Sequence, residues 1–212
     1  GYTNLSKLLS KTLLDADAVH DPSCSLNDLE AHAEGLILLS GGALAGFVGA
    51  PAGDGKPTLA AARADRLVAI FGDRFYIELQ RHGLGIERTA EPRLLEIADR
   101  LNLPLVATND CRFENAAMSQ PHDTLVCIGT GRKFSETNRP RFSPEHYFKT
   151  AAQMTELFTD IPEAISNTLV VAKRCSTMAR QRDPILPPFE SADGRSEEDE
   201  LTAQAEAGLR SR

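Results

Sequence analysis

The segment Leu103 to Phe113, LPLVATNDCRF, places reactive side chains where a parallel sheet would present them, because a short apolar run releases Asn109 and Asp110 at the strand's end. Strand ends carry the catalytic loops of α/β folds. A metal site built on Asp110 would want a second donor two residues on. That position holds Arg112, whose guanidinium only donates hydrogen bonds and remains charged. If both side chains enter one pocket, unit charges about 4 Å apart at an effective dielectric of about 20 interact by roughly 4 kcal/mol, so Arg112 would repel a divalent ion by up to about twice that while attracting Asp110. The expectation is an ion pair standing where a metal would.

His82 follows a strand-like stretch and lies near Glu78, so it is a candidate ligand or general base. The plainer expectation is a polar residue bonding locally in the turn after YIELQ. His20, His32, His122 and His146 have no paired spacing, and His122 and His146 are expected to cap or pack helices. Cys111 has no histidine in its local motif and is expected to be packed. Cys24, Cys111, Cys127 and Cys175 form no CxxC pair, which argues against a zinc cage or a disulfide framework and for buried free thiols. The SGG and GDGK glycines lack the Walker and GxGxxG spacings, so turns explain them better than a phosphate loop. From Gly131 to Lys149, the basic residues Arg132, Lys133, Arg139, Arg141 and Lys149 interleave with Phe134, Phe142, Tyr147 and Phe148, a composition that can stack single strands. Glu136 and Glu145 dilute the charge, and a contact between domains is favoured over direct nucleic-acid binding.

The positioning elements alternate. Tyr2, Leu5, Leu8 and Leu9 have helical spacing, Ser25 with Asp28 forms a capping-box pattern before a short helix to about Ala33, and GLILLS reads as a buried strand ended by Gly41 and Gly42. LAGFVGAPAGDGK is expected to be loop. Leu59 to Ile70 predicts a helix, Phe75 to Leu79 a strand, Leu94 to Leu101 a helix, and Pro104 to Asp110 a strand. Such alternation implies a parallel sheet covered on its faces. Helices are then predicted at about Ser119 to Ile128, at Ala151 to Phe158 behind a Thr150/Gln153 capping box, and at Pro162 to Cys175. Pro184, Pro187 and Pro188 predict an extended connector, and Ser196 before EEDE predicts a helix start.

At 212 residues and 42% apolar content the chain can build one sizeable core. No apolar run reaches the roughly 20 residues of a membrane span and no secretion signal is visible, so cytoplasm is the expected compartment and no membrane partner is expected. The net charge of −7 disfavours a stand-alone nucleic-acid binder. The opening GYTNLSKLLSK and the closing AGLRSR lead us to expect an excerpt of a longer protein.

EGLILLSGG (Glu34 to Gly42), FGDRFYIELQRHG (Phe71 to Gly83), LPLVATND, RFSPEHYFK (Arg141 to Lys149) and ELFTDIPEAISNTLVVAKRC (Glu156 to Cys175) occur in that order. Together they resemble bacterial DNA polymerase III alpha subunits, the replicative C-family polymerases, most closely the proteobacterial forms. The resemblance runs along the whole chain and covers the later part of the polymerase-and-histidinol-phosphatase (PHP) domain and a lead into the palm. It implies an α/β fold, a partial PHP-type distorted (β/α)7 barrel followed by a helical segment, with residues 1–177 in the PHP domain, a Pro-rich connector at 178–195, and the start of a palm-leading helix at 196–212.

The resemblance also maps ligand positions of metal-binding PHP domains onto Gly42, where active forms have Cys, onto Asp110, and onto Arg112, where active forms have His. It implies that this segment is a structural portion of a DNA-directed DNA polymerase, with no cofactor of its own and with Mg2+ held in the palm of the parent. Expected partners are the rest of the polymerase chain, DNA, deoxynucleoside triphosphates and a proofreading exonuclease subunit. Two alternatives are a metal-dependent phosphoesterase or 3′–5′ exonuclease, and a docking module for that exonuclease subunit.

Overall fold

A computed structural model describes residues 1–16, 21–178, 181–189, 191 and 193–212, so His20 lies outside the described residues. They fall into two units, Gly1–Ser176 and Thr177–Arg212.

Three short strands form a parallel sheet in the order β1-β2-β3: β1 is Leu38–Leu39, β2 is Phe75–Leu79 and β3 is Leu105–Ala107. Leu38 pairs with Phe75, and Ile77 with Leu105, Glu78 with Val106 and Leu79 with Ala107. All residues of β2 except Glu78 are buried, on both faces of the strand, which is why the run is almost continuously apolar. This is an α/β arrangement around a small parallel sheet, in keeping with what the resemblance implies.

Helices cover the sheet. The first unit contains α1 (Tyr2–Leu14), α2 (Leu26–Ala31), α3 (Gly49–Gly53), α4 (Pro57–Phe71), α5 (Gly85–Leu101), α6 (Ser119–Thr130), α7 (Ala151–Leu157) and α8 (Pro162–Arg174). Both expected capping boxes form, at Ser25/Asp28 and at Thr150/Gln153. Ala60, Ala64, Leu67 and Phe71 of α4 are buried at helical spacing, and they join Val48, Phe75, Ile77, Leu79, Leu94 and Phe158 in one core. α5 stops at Asn102, which adopts the left-handed conformation (φ 50°), and Pro104 then keeps the chain extended into β3.

Several boundaries differ from expectation. GLILLS supplies only a two-residue strand, because its pairing with β2 is limited to Leu38 and Leu39. The expected loop after Gly42 contains α3, whose Gly49, Pro51 and Ala52 are buried. α5 begins nine residues before Leu94 and runs through Pro92, beyond the apolar spacing from which the helix was predicted. Gly41 (φ 78°) and Gly46 touch backbone to backbone: a side-chain carbon on Gly46 would stand 2.3 Å from the Gly41 carbonyl carbon. Close approach, rather than phosphate binding, accounts for glycine there.

Arg81, just past β2, links the sheet to the helices. Its guanidinium donates to both oxygens of Glu91 on α5 (2.6 and 2.9 Å), to both of Asp160 (2.6 and 2.8 Å) and to the Leu157 carbonyl (2.7 Å), and it lies over the Phe158 ring.

The second unit holds α9 (Glu197–Arg210), capped by Ser196, whose hydroxyl accepts from the Asp199 N–H. Its first turn is acidic throughout, as the helix dipole favours.

Candidate functional site

The C-terminal rim of the sheet gathers Ser40, Glu78, Gln80, Thr108, Asn109 and Asp110. Glu78 and Gln80, two residues apart, leave β2 on one side, and the Gln80 amide donates to Glu78 Oε1 (3.1 Å) and to the Thr108 hydroxyl (3.0 Å). Thr108 in turn donates to Glu78 Oε1. Ser40 completes the group by accepting the Glu78 backbone N–H at 2.8 Å.

This network fills the space beside Gly42, the position onto which the resemblance maps a ligand. A side-chain carbon built there would stand 1.9 Å from Gln80 Oε1 and 2.6 Å from its Cδ. The space that a cysteine would need is therefore filled by an amide held on two partners. At the other end of the rim, Arg112 donates from Nε and Nη2 to Asp110 Oδ2 at 3.0 and 2.8 Å, and its guanidinium lies 4.8 Å from the centre of the Phe142 ring. Both side chains are partly exposed, which limits the pair's energetic weight but leaves the geometry clear. Of the three mapped positions, only Asp110 bears a metal-binding group, and it already holds a cation. Among the described residues no three His, Cys, Asp or Glu side chains meet in a metal-binding arrangement. The residues present do not fit a metal ion.

His82 lies in the bend after β2 and bonds locally, as the plainer reading expects, and its partner is Glu87 rather than Glu78. It is buried, and the Glu87 carboxylate accepts from its Nδ1 at 2.7 Å and from its backbone N–H at 2.7 Å. Glu87 lies in the first turn of α5 and also accepts the Leu84 N–H at 3.0 Å. Burial opposes its ionisation, and the bonds from His82 and the backbone overcome that penalty, holding the carboxyl below its usual range. His146, expected to cap or pack a helix, lies in the segment that returns to the rim, stacked on His82 with ring centroids 3.9 Å apart and planes 11° from parallel. Burial, then the neighbouring His82, pushes its pKa down. Nε2 of each ring is buried without a partner. In-plane lone pairs on near-parallel rings cannot converge on one ion at the roughly 2.0–2.1 Å that zinc requires, so the stack is packing and not a metal site.

The returning segment is pinned to the rim by Asn109, whose amide donates to the Tyr147 carbonyl at 2.7 Å, and by the Arg112 N–H, which donates to the His146 carbonyl at 2.8 Å. His122 on α6 packs against Phe113 and Phe142. His32 ends α2, its Nδ1 2.8 Å from the Asp28 carbonyl. Within the basic segment, Arg139 turns inward onto Asp123, Arg132 pairs with Glu136 at 3.3 Å, and Lys149 is buried beside Glu145. Arg141 donates only to the Glu136 carbonyl, at 3.2 Å. The thiols also correct expectation: Cys127 is buried, whereas Cys24, Cys111 and Cys175 are exposed.

Residues 1–82 match the PHP domain family. Across its full length, the chain is 47% identical to the DNA polymerase III subunit alpha of Caulobacter vibrioides (strain NA1000 / CB15N). Along its whole length the chain is similar to DNA polymerase III alpha subunits. It is also 40% identical to the subunit alpha of Rickettsia bellii and 38% identical to that of Escherichia coli (strain K12), again along the entire chain. It spans 18% of the length of each of these proteins.

Sequence reasoning singled out Gly42, Asp110 and Arg112, and it did not bring in Gln80, Thr108, Glu87 or His146, which the fold places around them. Strand alternation was available for Gln80, since it shares a face with Glu78. No local pattern announced His146, which reaches its place through a long loop.

Proposed function

We propose that this segment is a structural part of a DNA-directed DNA polymerase, a PHP portion whose metal site has been replaced by protein contacts. The observation that carries the reading is the rim itself, where Gln80 fills the space at Gly42 and Arg112 is bound to Asp110. A pocket closed by its own hydrogen bonds holds neighbouring elements in register and has no vacant ligand to activate water.

On this reading, primer extension from deoxynucleoside triphosphates, with its Mg2+, belongs to other parts of the polymerase, and the segment contributes support to the palm. Among the described residues no helix is long and apolar enough to cross a membrane, and a replicative polymerase acts in the cytoplasm. The proofreading exonuclease subunit remains a partner of the proposed assembly, with no surface assigned to it.

The test uses the full-length product of the reading frame. Metal analysis after purification, together with DNA hydrolysis assayed with Mn2+ or Zn2+, is expected to give no hydrolysis that depends on Asp110, and Asp110→Ala is expected to leave primer extension intact. Metal-dependent hydrolysis abolished by Asp110→Ala would establish the phosphoesterase alternative instead.

A further inference from the structure

The segment Gly131 to Lys149 carries five basic residues against two acidic ones inside a chain of net charge −7. Its charges are used unequally. The Arg139 side chain is 1% exposed and is bound through both terminal nitrogens to Asp123. That mutual bond holds Asp123 below its usual pKa and raises Arg139. The pair is a fixed structural element. It lines a pocket of about 400 Å3 together with Gln120, Phe134, Arg141 and Phe142, within the roughly 300–1,000 Å3 of small-ligand sites.

Three features of this pocket go unused by the fold. Phe134 is 52% exposed, while the Arg139 guanidinium, 5.1 Å from the ring centre, fixes it in place. Arg139 Nε is buried without a partner in the pocket wall. Arg141 is exposed and, among the described residues, donates only to a backbone carbonyl, sharing the Asp123 carboxylate with Arg139 through its field alone. Outside the pocket lining but next to Phe134 in the chain, Lys133 has no ion pair among the described residues.

We infer that this pocket and its rim seat single-stranded nucleic acid, with one base stacked on Phe134 beside Phe142 and flanking phosphates on Arg141 and Lys133. A fixed aromatic face flanked by cations is the arrangement that binds unpaired bases without sequence preference. Bases within a duplex have both faces covered by neighbours and cannot stack here. An acidic peptide would gain from Arg141 and Lys133 but would bring carboxylates towards Asp123 and leave the exposed Phe134 face unused. Asp123, by contrast, can accept from a base's amino group. This role goes beyond the supporting one proposed above and does not depend on it.

Arg139 is unsuitable for the test, since its removal would strand Asp123. The exposed residues Lys133, Phe134 and Arg141 are suitable, and thermal melts of each variant check that folding is retained. In the full-length product, a labelled oligothymidylate is titrated at several salt concentrations. Lys133→Glu with Arg141→Glu is expected to reduce the slope of log affinity against log salt by about 1.4, two phosphates at roughly 0.7 each, and Phe134→Ala is expected to weaken binding at least about fivefold. Photo-crosslinking with 5-iododeoxyuridine is expected to place an adduct within residues 131–149. Absence of that adduct, or unchanged affinity and salt slope in these variants, overturns the inference. So does binding of polyglutamate in preference to the oligonucleotide that is lost in the same variants, which would identify an acidic protein as the occupant.

Discussion

His82 and His146 lie face to face, 3.9 Å between ring centroids, and this stack joins the turn after β2 to a segment more than sixty residues later. Ser143 reinforces it by donating its hydroxyl to the His82 carbonyl at 2.8 Å. Burial in this stack disfavours the charged form of His146.

The ordinary pKa of His146 is 6.5 and the fold lowers it, through burial and then through His82. As pH falls below 6.5 the unfolded chain takes up a proton that the folded chain refuses, so stability is lost from that point downward. Glu87, held below its ordinary value of 4.5, contributes stability that is present above 4.5 and is lost as pH falls through its lower folded value. The melting temperature followed by circular dichroism should therefore drop between about pH 7.5 and pH 5.5, and His146→Phe should flatten that drop. An equal slope in the variant and the parent would remove His146 from the account.

Placing a cysteine at position 42 should destabilise the fold. The new side chain meets the far end of Gln80 at 1.9 Å, so the amide must leave Glu78 and Thr108, and losing such bonds costs about 1 kcal/mol. Gln80→Ala in the Gly42→Cys background should recover part of that loss, because it vacates the contested space. Urea titration of the two single variants and the double variant measures the coupling; additive losses would mean that the residues do not compete.

The Arg139–Asp123 pair should behave as a unit. Removing Arg139 leaves a carboxylate without its cation, and removing Asp123 leaves a buried guanidinium, so each single alanine variant should melt lower than the double one relative to simple addition. A cycle with no interaction energy would mean that the basic segment is held by other contacts.

Arg81→Lys should lose most of the stability that Arg81→Ala loses. The guanidinium meets Glu91 and Asp160 through paired bonds and lies over Phe158, geometry that an ammonium cannot reproduce. A loss of about 2 kcal/mol is expected for either substitution. Rescue by lysine would reduce the site to a point charge.

The alternation of apolar runs with helical spacing made the parallel sheet, α4, α7, α8 and the start of α9 legible, because those elements answer to local periodicity and to side-chain caps such as Thr150 and Ser196. β1 was overextended, since strand length depends on a partner that the sequence does not display. α5 was predicted only from Leu94 because its first turns, with Glu87 and Ala90 as the buried residues, lack the apolar repeat that marks the later ones. The same limit applies at the rim. Asp110 and Arg112 are neighbours in sequence and their pairing could be anticipated, whereas Gln80 with Gly42, and His82 with His146, meet only through the fold.

Cys111 offers a practical handle on all of this. Its thiol is exposed and lies between Asp110 and Arg112, with the sulfur 3.2 Å from the Asn109 carbonyl. A nitroxide or fluorine tag attached there, with Cys24 and Cys175 changed to serine, would sit within the rim loop and register whether that loop shifts when a template strand or a neighbouring domain arrives.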